Sequence, residues 1–243
     1  MRIQAYFSAG AVDSSSVQGS TAVVIDVIRA TSTLLEALVN GARGVYPTVS
    51  IEEAVQLAAS LGREDTLLTG ERKGLKVEGF DLGNSPREFR REVVDGRQVV
   101  MTTTNGTRAF MAVASAQRVL SAAFANLSAV AEAVADVDSL VVVCAGKEDR
   151  FSLDDAVCAG FLIRRLVEDR EDAVEMNDAA RAAVKLAQDV RVTPEFLADT
   201  AAGAALVEVG LREDLTFVAG MDRHDVVPEM IDRVIRIPPG SRA

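Results

Sequence analysis

The side chains of this sequence that could do chemistry fall at four places. Asp26 and Arg29 interrupt an apolar run within Thr21–Glu36, TAVVIDVIRATSTLLE. Glu71, Arg72, Lys73 and Asp81 lie in a glycine-rich stretch, Gly70–Pro86, and the hydroxyls of TTTNGT, residues 102–107, follow a second apolar run. Lys147, Glu148, Arg150, Asp154 and Asp155 follow a third. Carboxylates of this kind hold magnesium, which keeps several waters and is often bound together with substrate phosphate. Arginines clamp phosphate or carboxylate in bidentate fashion. The set points to chemistry on a small anion, assisted by carboxylates and a metal ion. Asp154 and Asp155 equally suit the first turn of a helix, where acids complement the dipole. Asp26 and Arg29 are less easily assigned a structural role, because they interrupt an apolar segment.

These residues need elements to position them. Ala22–Ile25 is a short β-branched run, long enough for one buried strand. It enters Asp26, Arg29 and the hydroxyls Thr31, Ser32 and Thr33. The Thr33–Glu36 spacing of a capping box predicts a helix starting near there and ending at Asn40-Gly41. Gln98–Thr103 is a strand entering TTTNGT, with Thr107 capping a helix through Ala114. Leu140–Cys144 is a strand entering AGKEDRFSLDDA, with Ser152 to Asp155 opening a helix that runs through about Glu168. Three strand–polar turn–helix units therefore recur. Parallel strands linked by helices put such turns on one sheet edge, where anions bind at helix N-termini.

Around them, Arg2–Phe7, Val45–Val49, Thr66–Leu68 and Arg118–Ser121 read as strands, and Ile51–Leu61 and Asn126–Ala135 as helices. Gly70–Pro86 has no hydrophobic period, and a stretch this long without regular structure is usually functional. It ends in a second capping-box spacing, Ser85 to Glu88 with Pro86 between. From Asp172 on, the chain reads as mostly helical and alanine-rich, with Pro194 opening a short helix after Thr193. Val226–Ile237 reads as a last helix or strand. No linker appears, which predicts one α/β domain over residues 1–243 with a largely parallel or mixed sheet.

Composition removes several function classes. The formal charge of −10 argues against a surface that coats nucleic acid. Two cysteines, Cys144 and Cys158, sit inside apolar patterns and suggest no disulfide framework, and one histidine, His224, leaves no Cys/His zinc cluster. MRIQAYF lacks a long apolar leader region, and no apolar run reaches membrane-spanning length, so a cytoplasmic protein is expected. The Ala/Val-rich helices would suit a homo-oligomer.

Known phosphoryl-transfer patterns are informative by comparison. The Walker pattern is absent. Asp26-Val27-Ile28 lacks the second acid that an aspartyl-phosphatase motif places two residues on. Cys144 to Arg150 does match the C-x5-R spacing of cysteine phosphatases. Against it, Glu148 and Asp149 would repel a phosphate held by the loop amides, no histidine is near, and Cys144 suits a buried strand end.

Taken together, VVIDVIRATST, GERKGLKVEGFDLGNSP, TTTNGT, CAGKEDRFSLDDAVCAG and the tail GLREDLTFVAGMDRHDVVP resemble the 2-phosphosulfolactate phosphatase (ComB) family over nearly the whole chain. That resemblance implies a three-layer α/β fold and magnesium-dependent hydrolysis of 2-phospho-3-sulfolactate to 3-sulfolactate and phosphate, toward coenzyme M or related sulfonates. The residues are consistent with it, since a substrate carrying phosphate, carboxylate and sulfonate needs several cations on an otherwise acidic protein. The roles that follow are Asp26 as metal ligand or phosphate-accepting nucleophile, Glu148 and Asp154 as further ligands or a base, and Glu71 as a metal ligand. Arg29, Arg72 and Arg150 would bind substrate anions, and Ser32, Asn105 and Thr107 phosphate oxygens. The competing readings are a thiol mechanism at Cys144 and a protein that binds small anionic metabolites without turnover.

Overall fold

The computed structural model describes residues 1–168, 170 and 173–240. The β-branched runs become strands, in chain order β1 (Arg2–Tyr6), β2 (Thr21–Ile25), β3 (Gly44–Thr48), β4 (Thr66–Arg72), β5 (Leu75–Lys76), β6 (Gln98–Thr102), β7 (Arg118–Ala122), β8 (Ser139–Cys144), β9 (Glu175–Met176), β10 (Glu229–Ile231) and β11 (Val234–Arg236). All eleven share one mixed sheet, ordered β5-β4-β6-β3-β11-β10-β7-β2-β8-β1-β9. Successive side chains on a strand point to opposite faces. Accordingly Val23, Ile25, Leu140 and Val142 pack under the helices Leu127–Ala133, Leu153–Val167 and Asp178–Ala187. Ala22, Val24, Val141 and Val143 pack under Ala30–Val39 and Gly106–Ala112 on the other face. The result is the expected three-layer α/β/α sandwich, filled mainly by small aliphatic side chains.

The sheet contains two parallel blocks. In one, β9, β1, β8, β2 and β7 run together; in the other, β3, β6 and β4 do. The last segment of regular structure, the β10–β11 hairpin, is inserted between them by antiparallel pairing, Glu229 opposite Leu120 and Ile235 opposite Val45. Three antiparallel steps in succession set the blocks in opposite senses. The two carboxyl edges nevertheless come together: Gly106 after β6 sits against Asp26 and Ala30 after β2, and Asn105 Oδ1 accepts Glu148 N–H at 3.0 Å. The recurring turns therefore meet across a cleft between two blocks, rather than along the edge of a single parallel sheet.

Several local expectations change. The helix after β2 begins at Ala30, not near Thr33. Its first N–H is taken by Asp26 Oδ1 at 3.1 Å, so the cap comes from the turn behind it. Thr33 Oγ1 instead donates to Asn84 O at 2.9 Å, and Glu36 Oε1 receives Arg223 and His224. The helix after β6 spans Gly106–Ala112, with Asn105 rather than Thr107 at its cap position. Gly70–Pro86 is not without order: β4 continues to Arg72, reverses at Lys73-Gly74 and returns as β5. The Ser85–Glu88 box forms only a short 3-10 turn, because Ser85 Oγ donates to Asp214 and Glu88 Oε2 accepts Gly83 N–H. The final segment is the hairpin, settling helix against strand. The expectation of a helical region from Asp172 starts on a residue outside those described; from 178 to 218 the chain forms four helices. No helix among the described residues is long and apolar enough to cross a membrane.

Candidate active site

The turns after β2, β4, β6 and β8 enclose a cavity of about 340 Å³. Each turn brings its own chemistry. After β2 come Asp26, Ile28 and Arg29; the β4–β5 reversal supplies Glu71, Lys73 and Gly74. Thr103, Thr104 and Asn105 follow β6, and Gly146, Lys147, Glu148, Ser152, Asp154 and Asp155 follow β8. The remaining wall is mostly apolar, formed by Ala202, Ala205, Leu206 and Val209 from the Ala201–Glu208 helix and the residue after it, with Glu208 and Asn84 as its polar members.

The acids are held by backbone as much as by side chains. Asp155 Oδ1 accepts Val27 N–H at 2.9 Å and its Oδ2 accepts Gly146 N–H at 3.0 Å, tying the β2 and β8 turns together. Glu71 does the same for the other block, with Oε1 on Thr104 N–H and Oε2 on Gly74 N–H, both at 2.8 Å. Asp154 Oδ1 accepts the Ser152 hydroxyl at 2.6 Å. Gly106 is required beside them: a Cβ there would lie 2.5 Å from Ala30 Cβ and 2.7 Å from Asp26 Oδ2. Only a residue without a side chain lets this helix start against the Asp26 carboxyl.

Burial dominates the electrostatics. It pushes Asp26 up to about 7, with the Asp154 and Glu71 charges adding to it and the Ala30 N–H and Arg29 pulling the other way. Burial likewise raises Asp154, against the Ser152 hydroxyl and Lys147, and raises Asp155 well above the carboxylate range, helped by Asp154 and Asp26. Three acids are thus crowded where at least one must keep a proton or meet a cation. The cations present are Arg29, Lys73 and Lys147. Lys147 Nζ donates to Ala201 O at 2.6 Å. Arg29 donates to Asp214 Oδ2 at 2.6 Å and to Gly74 O at 2.7 Å.

The expected site residues divide in two. Asp26, Arg29, Glu71, Asn105, Glu148 and Asp154 line the cavity. Ser32, Arg72, Thr107 and Arg150 do not. Ser32 Oγ donates to Val27 O at 2.8 Å, and Thr107 Oγ1 to Thr103 O at 3.1 Å, so both hydroxyls brace their turns. Arg72 turns its guanidinium to Glu71 O and Thr102 Oγ1. Arg150 is exposed on the β8 loop, where its backbone pairs with Lys147. Asp81, an edge acid in the sequence, accepts Leu68 N–H and an arginine instead. Cys144 is buried in the core with its thiol pushed well above the ordinary range by burial and by Asp155, which removes the C-x5-R arrangement.

Residues missed as site members are Asn84, Thr103, Thr104 and the helical wall. The wall's spacing, i, i+3, i+4 and i+7 from Ala202, is an ordinary core stripe and carried no chemical signal. Asp214, buried behind Arg29, follows Glu213 in the first turn of a helix, a place where acids are common without any site.

Among the described residues, no three His, Cys, Asp or Glu side chains converge as a ready-made metal shell, so Asp26, Glu71 and Glu148 do not form one; Glu148 stands exposed at the rim. Magnesium does not require such a shell, since one or two carboxylates, waters and substrate phosphate suffice. The donor set fits that kind of site. Each Glu71 oxygen accepts one N–H and retains a lone pair, and among the described residues no ion pair forms to Asp26, Asp154 or Asp155.

Comparison with known proteins places these features in context. The family model described as 2-phosphosulpholactate phosphatase matches residues 6–233. A Clostridium perfringens (strain SM101) protein named "Probable 2-phosphosulfolactate phosphatase" is 42% identical over 233 residues, covering 94% of this chain and 93% of its own. Proteins of the same name from Thermotoga petrophila and Clostridium beijerinckii are 41% and 37% identical, covering 90% and 96% of this chain and 93% and 98% of theirs.

Proposed function

The chain belongs to the 2-phosphosulpholactate phosphatase family, and from that premise we propose that its cleft hydrolyses the phosphate ester of 2-phospho-3-sulfolactate, releasing 3-sulfolactate and phosphate with magnesium bound. The observation that carries this reading is one cavity to which three turns each bring a buried acid and a cation, Asp26 with Arg29, Glu71 with Lys73, and Asp154 with Lys147. A substrate with phosphate, carboxylate and sulfonate needs several cations, while hydrolysis needs a proton carrier and a way to offset charge at phosphorus.

Asp26 and Glu71 would hold the ion. Bound there, magnesium would withdraw charge from the phosphoryl oxygens and lower the pKa of coordinated water. Asp154, whose carboxyl burial raises above its ordinary value, would be the acid that gives a proton to the leaving alkoxide as the P–O bond breaks. Arg29 would fix one anionic group through its remaining N–H donors, and Lys73 and Lys147 the others. The Ala202–Val209 wall would limit the room beside the three-carbon chain and exclude water.

Phosphate release from phosphosulfolactate, phospholactate and phosphoglycerate, each with and without magnesium, tests the proposal. The expected result is metal-dependent turnover with the lowest KM for phosphosulfolactate. If all three bind and none is hydrolysed under either condition, the cleft binds small anions without turnover, and the reading fails.

A further inference from the structure

Arg29 is the cleft's most buried cation, and its ion-pair partner comes from outside the four turns. Asp214, fully buried in the Arg212–Val218 helix, accepts Arg29 Nη1 at 2.6 Å on Oδ2 and the Ser85 hydroxyl at 2.7 Å on Oδ1. Arg29 Nη2 reaches Gly74 O at 2.7 Å, in the reversal that also carries Lys73. One carboxylate therefore ties the β2 turn to the end of the glycine-rich stretch, and the arginine it holds reaches on to the β4–β5 reversal.

We infer that Asp214 is a positioning residue that sets how Arg29 presents its guanidinium to the anion, and so controls binding rather than the chemical step. A planar fork held at two corners keeps a fixed plane, and the N–H groups that remain point in fixed directions. An unanchored arginine would meet the anion only after losing rotamer freedom on binding.

The inference rests on the phosphatase reading only in its kinetic arm. The variants are Asp214→Asn, which keeps the shape and one acceptor oxygen, and Ser85→Ala, which removes only the hydroxyl anchor. Titration calorimetry with inorganic phosphate is expected to show Kd about 10-fold higher for Asp214→Asn, with KM rising alike and kcat changing less than about 3-fold. Ser85→Ala should move Kd and KM in the same direction by about 2–5-fold. A lower Tm with unchanged Kd and KM would make Asp214 a plain structural brace, and a fall in kcat with unchanged Kd would put it in the chemical step; either overturns the inference. If Asp214→Asn does not fold, Ser85→Ala decides, since a wild-type phosphate Kd there refutes it. Should the wild type bind phosphate but hydrolyse no ester, the phosphatase reading fails while the Kd comparison still decides the role of Asp214.

Discussion

Replacing Asp26 with asparagine should make the protein more stable at pH 8 when divalent ions are removed. A carboxyl whose folded pKa exceeds its unfolded one weakens the fold as pH rises between them, because the unfolded chain ionises first. For Asp26 that window runs from 3.8 to about 7. The full displacement is a ceiling of roughly 4 kcal/mol at ~1.4 kcal/mol per tenfold change. Asp154 and Asp155 share the penalty, so one substitution should recover about 1–3 kcal/mol, or ~2–4 °C of Tm per kcal/mol. Asparagine is nearly isosteric and can still accept the Ala30 N–H, so packing against Gly106 is preserved. Thermal melts of both proteins at pH 4 and pH 8 in chelator should converge at the acid end and separate at the alkaline end, the variant higher. Magnesium at ~100 times its Kd should then stabilise the wild type by about 2.7 kcal/mol and the variant far less. A variant that melts at or below the wild type at pH 8, by the same margin as at pH 4, would refute the crowded-acid argument.

Three other substitutions probe neighbouring contacts. Arg29→Lys keeps the charge but cannot span Asp214 Oδ2 and Gly74 O together, so binding should weaken by about 1–3 kcal/mol, read as KM; an unchanged KM would remove Arg29 from anion recognition. Gly106→Ala forces a Cβ to 2.5 Å from Ala30 Cβ and should cost about 1–3 kcal/mol by denaturant midpoint, together with most of the turnover; a wild-type midpoint would mean the turn yields freely. Cys144→Ala should retain turnover within about 2-fold, and thiol reagents should leave the native enzyme active, since this buried thiol stays protonated. An inactive alanine variant would restore the thiol mechanism.

The parts of the fold visible in the sequence were those with a local cause. Ala22–Ile25 and Leu140–Cys144 read as buried strands, and Asp26 as the point where the chain leaves the sheet. That was enough to gather Asp26, Glu71, Asn105 and Glu148 at one cleft. Where long-range partners compete for a side chain, local reading failed. Thr33 and Glu36 have capping-box spacing, yet Asn84, Arg223 and His224 claim them. Ser32 and Thr107 carry the hydroxyls an anion site needs, but a backbone carbonyl lies closer. Nor does any local pattern announce that Asp214, 185 residues from Arg29, is its partner.

The β10–β11 hairpin also governs the order of assembly. Before residues 229–236 dock, β7 and β3 are both open edges, and nothing in the sheet joins the two parallel blocks. Open edges of this kind recruit strands from other chains. Each block can gather its own local contacts early, but pairing Glu229 with Leu120 and Ile235 with Val45 closes loops of more than a hundred residues. Such closures are entropically slow. Until then the blocks meet only through the helices over one face, whose core takes Val24 and Val141 from one block and Val45 and Val99 from the other, so the hairpin completes as continuous sheet a cleft whose turns already pack together.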